Sequence, residues 1–255
     1  MQNDTPRPAI VSVTKTANTG TRPFLALTDS GDYYWCKQLQ NDHGPQSTIN
    51  EVVCSVIGDA LGAPVAPWSL IDVPPELVGT STPSGQAGVT NTVQSLPVFG
   101  SKLFHFADIW DASEKIRFTR RDGNEERIPR LIALWILCNA KDLQVIHDTS
   151  DDMRIYSVDH GMWFGSDESL WVLAPSSELY GRTEIGHPQQ AIPKHFWCEA
   201  LDAVASLSPD LKVDVLCAIP EEWEVPHHQV EILVQYCLDR REYTIERLRQ
   251  EMLHV

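Results

Sequence analysis

Apolar and polar positions alternate from Ala9 to Thr16, break at Ala17-Asn18-Thr19-Gly20-Thr21, and resume as an apolar run from Phe24 to Leu27. This pattern predicts two strands joined by a small-residue turn. The cluster Asp29-Ser30-Gly31-Asp32 is a second turn, and Tyr33-Tyr34-Trp35-Cys36-Lys37-Gln38-Leu39 reads as a third strand whose aromatics suit a pleated surface. Connections this short make the three an antiparallel meander. The period then changes: Ile49, Val52, Val53, Val56, Ile57 and Ala60 fall on one helical stripe that stops at Leu61-Gly62.

Pro64 and Pro67 punctuate an extended apolar piece from Ala66 to Val73. Residues 79–97, rich in Gly, Ser and Thr, read as a long loop or hinge between two halves. An apolar helix is expected from Ile128 to Cys138, with Pro129 in its first turn. After the polar stretch Asn139-Ala140-Lys141-Asp142 comes a hairpin, Gln144 to His147 and Met153 to Asp159 around an acidic turn. Helical periodicity returns over Phe196–Leu207 and His227–Leu253. The pattern as a whole is α+β, with an N-terminal portion (1–97) built on a sheet and a C-terminal portion (98–255) that is mainly helical.

The 255 residues carry 20 Lys+Arg against 35 Asp+Glu, a formal charge of −15. A field of that sign repels phosphate backbones and anionic lipid heads, so direct nucleic-acid and membrane-surface binding are not expected. It leaves room for a nucleotide held locally by a lysine, backbone N–H groups and a divalent cation at carboxylates. No apolar h-region opens the chain and no stretch approaches a membrane span, which makes a cytoplasmic location the expectation. The six cysteines form no Cys-x-x-Cys pair and read as buried free thiols.

Three groups of residues have the makings of chemistry. Lys37, at the end of a strand, precedes Glu51 on the next helix by 14 residues, a pairing that can hold a cation on nucleotide phosphates. Val158-Asp159-His160-Gly161 ends an apolar strand in a carboxylate at a sheet edge, where Mg²⁺ bridging phosphates could be held. Asn139-x-x-Asp142-x-Gln144 sets a carboxylate on a loop ahead of the hairpin, where it could accept a hydroxyl proton, with an amide oxygen nearby for the metal. Each also has a plain structural reading: a surface ion pair, an Asx turn and a helix C-terminus. His160 alone at a turn reads as a hydrogen-bonding residue more readily than as a metal ligand. His227 with Glu231 and the Asp148, Asp151, Asp152 cluster are weaker still as metal sites, and no Gly-x-Ser-x-Gly occurs.

Taken in order, the groups resemble the HipA-like kinases, specifically the short stand-alone ones. The resemblance is carried by Tyr34-Trp35-Cys36-Lys37, Gly44-Pro45-Gln46-Ser47-Thr48-Ile49-Asn50-Glu51, Leu61-Gly62-Ala63-Pro64-Val65-Ala66-Pro67 and Tyr156-Ser157-Val158-Asp159-His160-Gly161. Ala218-Ile219-Pro220-Glu221-Glu222-Trp223 and the helix with Arg240 and Arg241 look like the family's C-terminal region. It implies a two-lobe, protein-kinase-like fold and ATP- and Mg²⁺-dependent transfer to a Ser/Thr hydroxyl of a protein. By the same resemblance Lys37 would meet the nucleotide phosphates and Glu51 would position it. Asp142 would be the catalytic base, Asp159 would hold the metal with Gln144 beside it, and Thr19-Gly20-Thr21 would cover the phosphates. The sequence departs from the family at the catalytic loop, usually Asp-Arg followed by Asn. Here Leu143 follows Asp142, and His147 stands five residues on. That departure opens an alternative, a pseudokinase acting as a nucleotide-binding or protein-interaction module without turnover.

Overall fold

The computed structural model describes residues 6–83, 90–166, 171–173 and 184–254. Strands β1 (Ile10–Thr16), β2 (Phe24–Thr28) and β3 (Tyr33–Lys37) form the expected meander, with Lys15 opposite Leu25 and Phe24 opposite Cys36. Helix α1 (Pro45–Leu61) begins four residues before its apolar stripe. Gly44 turns the chain at φ 77° and Pro45, with φ fixed by its ring, opens the first turn. The helix ends where Gly62 takes the left-handed conformation at φ 63° and its N–H caps the carbonyl of Asp59.

Strand β4 (Trp68–Ile71) is followed by a short ribbon of β5 (Ser81–Pro83) and β6 (Thr90–Thr92), after which β7 (Val98–Lys102) enters the sheet between β3 and β4. The five-stranded order is β1-β2-β3-β7-β4, antiparallel throughout. The sheet therefore runs on past residue 97, and the stretch read as a hinge is an excursion between two strands of one sheet. Side chains pin that excursion down: Gln38 donates to Asn91 Oδ1 at 3.0 Å and to the Thr92 carbonyl at 3.1 Å, and accepts the Gln94 N–H. Its residues 84–89 lie outside the described residues.

Beyond the sheet come β8 (Ala107–Ile109), α2 (Asn124–Leu137) and the hairpin β9 (Gln144–Asp148) and β10 (Arg154–Val158), which with β8 makes a three-stranded sheet. Helix α2 starts four residues earlier than its apolar run, so Pro129 lies inside it rather than in the first turn. Asn124 makes that start possible: its amide donates to the carbonyls of Phe118 and Met153, and its oxygen accepts the Ile155 N–H. Helices α3 (Lys194–Ala205), α4 (Leu211–Ala218), α5 (His227–Asp239) and α6 (Arg241–His254) complete the chain. The single helix expected over 227–253 is two, broken at Arg240. That guanidinium is buried, donates to the carbonyls of Ile136 and Leu137 at the end of α2, and stacks with Tyr236 and Tyr243.

The architecture is thus the expected α+β arrangement, an antiparallel N-terminal sheet with one helix and a mainly helical remainder. One large core joins α1 to α2 and the later helices, and a smaller one covers the other face of the sheet around Phe24, Tyr34, Cys36 and Ile71. The cysteines are all unpaired. Four are buried as expected, whereas Cys198 and Cys217 are exposed. Among the described residues no helix is long and apolar enough to cross a membrane.

Candidate functional site

Strand alternation decides where Lys37 points. Cys36 faces the smaller core, and Lys37, opposite Phe99 of β7, emerges on the face that packs against α1. There its ammonium donates to Glu51 Oε1 and, at 2.5 Å, to Asp159 Oδ1. Lys37 and Asp159, 122 positions apart in the chain, thus meet, and the lysine is buried, 7% exposed. Burial works against the Lys37 charge, but Asp159 and Glu51 outweigh it and lift the pKa above the ordinary lysine value. Burial would likewise raise the Glu51 carboxyl, yet Lys37 and His160 override it and hold the group at about 2.

Asp159 sits just past β10 in the left-handed conformation at φ 59°, which turns its carboxylate out of the strand direction. Gln144, the first residue of β9, pairs with Val158 and so lies beside it, its amide 3.0 Å from Asp159 Oδ2. The position of His147 follows from the same strand. It lies three positions on from Gln144, an odd offset, so it faces the opposite side. It is fully buried against Phe118, where burial lowers its pKa. The amide beside the carboxylate is therefore Gln144, although sequence spacing put the equivalent position at His147.

His160 extends the polar chain inward. It is 3% exposed, its Nδ1 lies 3.3 Å from Glu51 Oε2, and its Nε2 lies 3.0 Å from Ser157 Oγ. Next to it, Gly161 lets α1 approach closely, since a Cβ there would sit 3.3 Å from both Ser47 Cβ and the Ser47 carbonyl oxygen. Asn50, buried on α1, staples the following segment by donating to the carbonyls of Gly161 and Trp163 and accepting the Trp171 indole N–H at 2.8 Å. Asn50 was not singled out from the sequence beyond its place in the Gly44–Glu51 motif. A polar residue on the inner stripe of an otherwise apolar helix is the signal that marks it.

The turn Thr19-Gly20-Thr21 joins β1 to β2 and reaches the start of α1. A Cβ at Gly20 would overlap the His43 imidazole, and His43 Nδ1 lies 3.3 Å from Met162 Sδ, two residues beyond His160. Arg22, after the turn, pairs with Asp42 at 2.8 Å. Asp142 stands apart from the Lys37 group: it is exposed, in the left-handed conformation at φ 54°, and its N–H donates to Glu184 Oε2 at 3.0 Å. With Lys141, Leu143, Met162 and Glu184 it lines a cavity of about 400 Å³. The structure thus joins Lys37, Glu51, Asp159 and Gln144 directly. It brings the 19–21 turn and Asp142 to the same neighbourhood through His43 and Met162.

A buried strand lysine held by a helix glutamate and by an aspartate that follows a hairpin is the arrangement with which kinases handle nucleotide phosphates. Residues 10–118 match the family model of the HipA-like kinases. The match takes in Lys37, Glu51 and the 19–21 turn and ends before Asp142 and Asp159. No curated protein matches the sequence. Among solved structures, one described as a crystal structure of the Golgi casein kinase with Mn/ADP bound is similar over 97% of this chain and 72% of its own, at 11% identity and a TM-score of 0.43. It is a loose likeness on which nothing below depends.

Proposed function

We propose that the protein is a phosphotransferase that uses ATP and Mg²⁺ and delivers the γ-phosphoryl group to a Ser or Thr hydroxyl of a protein, working in the cytoplasm. The observation that carries this reading is the continuous chain Gln144–Asp159–Lys37–Glu51, four side chains from three separate parts of the sequence in one network that is buried at Lys37 and Glu51 and partly open at Asp159 and Gln144. The oxygen donors suit Mg²⁺, which takes one or two protein oxygens, waters and substrate phosphates rather than a full protein cage.

In this reading Lys37 turns from Asp159 to the phosphates while Glu51 keeps it in place, and Asp159 with Gln144 holds the metal. The bound metal would draw charge from the phosphate oxygens. Backbone N–H groups of Thr19-Gly20-Thr21 cover the phosphates. The bond from the γ-phosphorus to the ADP oxygen breaks, a bond to the acceptor hydroxyl forms, and Asp142 takes the hydroxyl proton. Asp142 lies on an exposed cavity, the side from which an acceptor would enter.

A second reading, nucleotide binding without turnover, draws on the altered loop at Asp142, where Leu143 follows the carboxylate and His147 stands five residues on. Labelled-phosphate transfer to the protein itself or to a generic acceptor separates the two. A working kinase gives transfer that Asp142→Ala lowers by about 10²-fold or more while ATP binding persists. Binding without transfer in the unmodified protein supports the second reading.

A further inference from the structure

The kinase reading gives no task to His160, although this residue occupies the most enclosed end of the network. Its ring is buried, with an edge-on contact to Trp163 at 4.5 Å between centroids. Glu51 Oε1 accepts from Lys37, and His160 Nδ1 lies 3.3 Å from Oε2, at ion-pair distance but outside hydrogen-bond alignment. An ionised carboxylate only accepts, so a proton on the facing Nδ1 is the arrangement in which the two groups attract, and it leaves Nε2 able to accept from Ser157. Ser157 is itself fixed: its N–H donates to the Pro64 carbonyl and its carbonyl accepts the Ala66 N–H, on the segment leading out of α1.

Resting on the kinase reading, we infer that His160 is a positioning residue: it holds the Glu51 carboxylate independently of Lys37 and ties the inward position of α1 to the segment that carries Asp159. The reasoning is geometric. When Lys37 leaves Asp159 for phosphates, Glu51 loses part of its surroundings, and a second anchor keeps it from following. Since Asp159 and His160 are neighbours in the chain, the metal-binding carboxylate and the Glu51 anchor move together or not at all. The ionisable groups facing His160 are Glu51 from α1 and, through Glu51, Lys37 from β3.

Two substitutions separate positioning from packing. His160→Phe keeps a ring against Trp163 and deletes the donor. His160→Asn deletes the ring and keeps an N–H at the position of Nδ1. Positioning predicts that His160→Phe raises the KM for ATP or lowers kcat by about tenfold or more with an unchanged melting temperature, and that His160→Asn recovers most of that loss. Full activity in His160→Phe with loss in His160→Asn overturns it.

Should the unmodified protein neither bind nor turn over Mg²⁺–ATP, the kinase reading fails and the imidazole ¹⁵N spectrum decides the inference. The His160 resonance, assigned by its absence in His160→Phe, is expected to show a protonated Nδ1 that responds to Glu51→Gln. An unprotonated Nδ1 overturns the inference.

Discussion

At the scale of single residues, Lys37 and Glu51 are bound by an obligation that surface pairs do not have. Removing Lys37 leaves Glu51 with only His160 beside it and takes the ammonium away from Asp159 as well, a loss of up to about 3–5 kcal/mol. Lys37→Met should therefore destabilise the protein by about that much in urea unfolding, and Lys37→Met/Glu51→Gln should recover a large part of it. An equal loss in the double variant would show that the pair is not coupled. The depressed Glu51 carboxyl also sets a pH dependence. Its folded value of about 2 lies below its ordinary 4.5, so the unfolded chain binds the proton more readily. The stabilisation is complete above about pH 5 and is lost as the pH falls toward 2. Unfolding free energies measured across that range should fall less steeply in Glu51→Gln than in the unmodified protein.

Among elements, α1 does most to assemble the site. Its inner stripe carries apolar residues into the large core, and Asn50 and Glu51 on the same side reach the segment after β10. Asn50→Ala removes hydrogen bonds to the carbonyls of Gly161 and Trp163, each of which keeps one from Ser166, and takes away the acceptor of the Trp171 indole N–H. It should cost about 2–3 kcal/mol and weaken nucleotide binding along with stability, as read by chemical unfolding and titration. A loss of stability with unchanged binding would confine Asn50 to the fold.

The strands of the meander, α1 and the β9–β10 hairpin were legible because periods of 2 and 3.6 with turn residues between them are local signals. The pair Lys37 and Glu51 was legible for the same reason, each lying near the boundary of a clearly patterned element. Two features were not. The sheet order is set by β7 inserting between β3 and β4, a non-local pairing that no local pattern announces. The break at Arg240 comes from a buried guanidinium that meets the end of α2, over a hundred positions away in the chain. Gln144 was named beside Asp159 from the sequence as the nearest amide; the register of the hairpin adds the reason, which counting five residues to His147 cannot see, because it decides which face of a strand a residue occupies.

At the scale of the whole molecule, residues from the sheet, α1 and the hairpin converge on Lys37 within a protein whose net charge of −15 offers no general attraction to an anion. In the proposed reading, nucleotide binding would therefore come from the local cation and from metal held at the carboxylates, and it should depend on Mg²⁺. A ligand that binds only the folded state stabilises it by about 2.7 kcal/mol at a hundredfold excess over Kd, so Mg²⁺–ATP should also raise the melting temperature. The most direct measurement is calorimetric titration of ATP into the protein with and without Mg²⁺, repeated on Asp159→Ala. The account predicts binding that requires Mg²⁺ and is lost in Asp159→Ala. Equal binding with and without Mg²⁺, or binding that survives in Asp159→Ala, would contradict it.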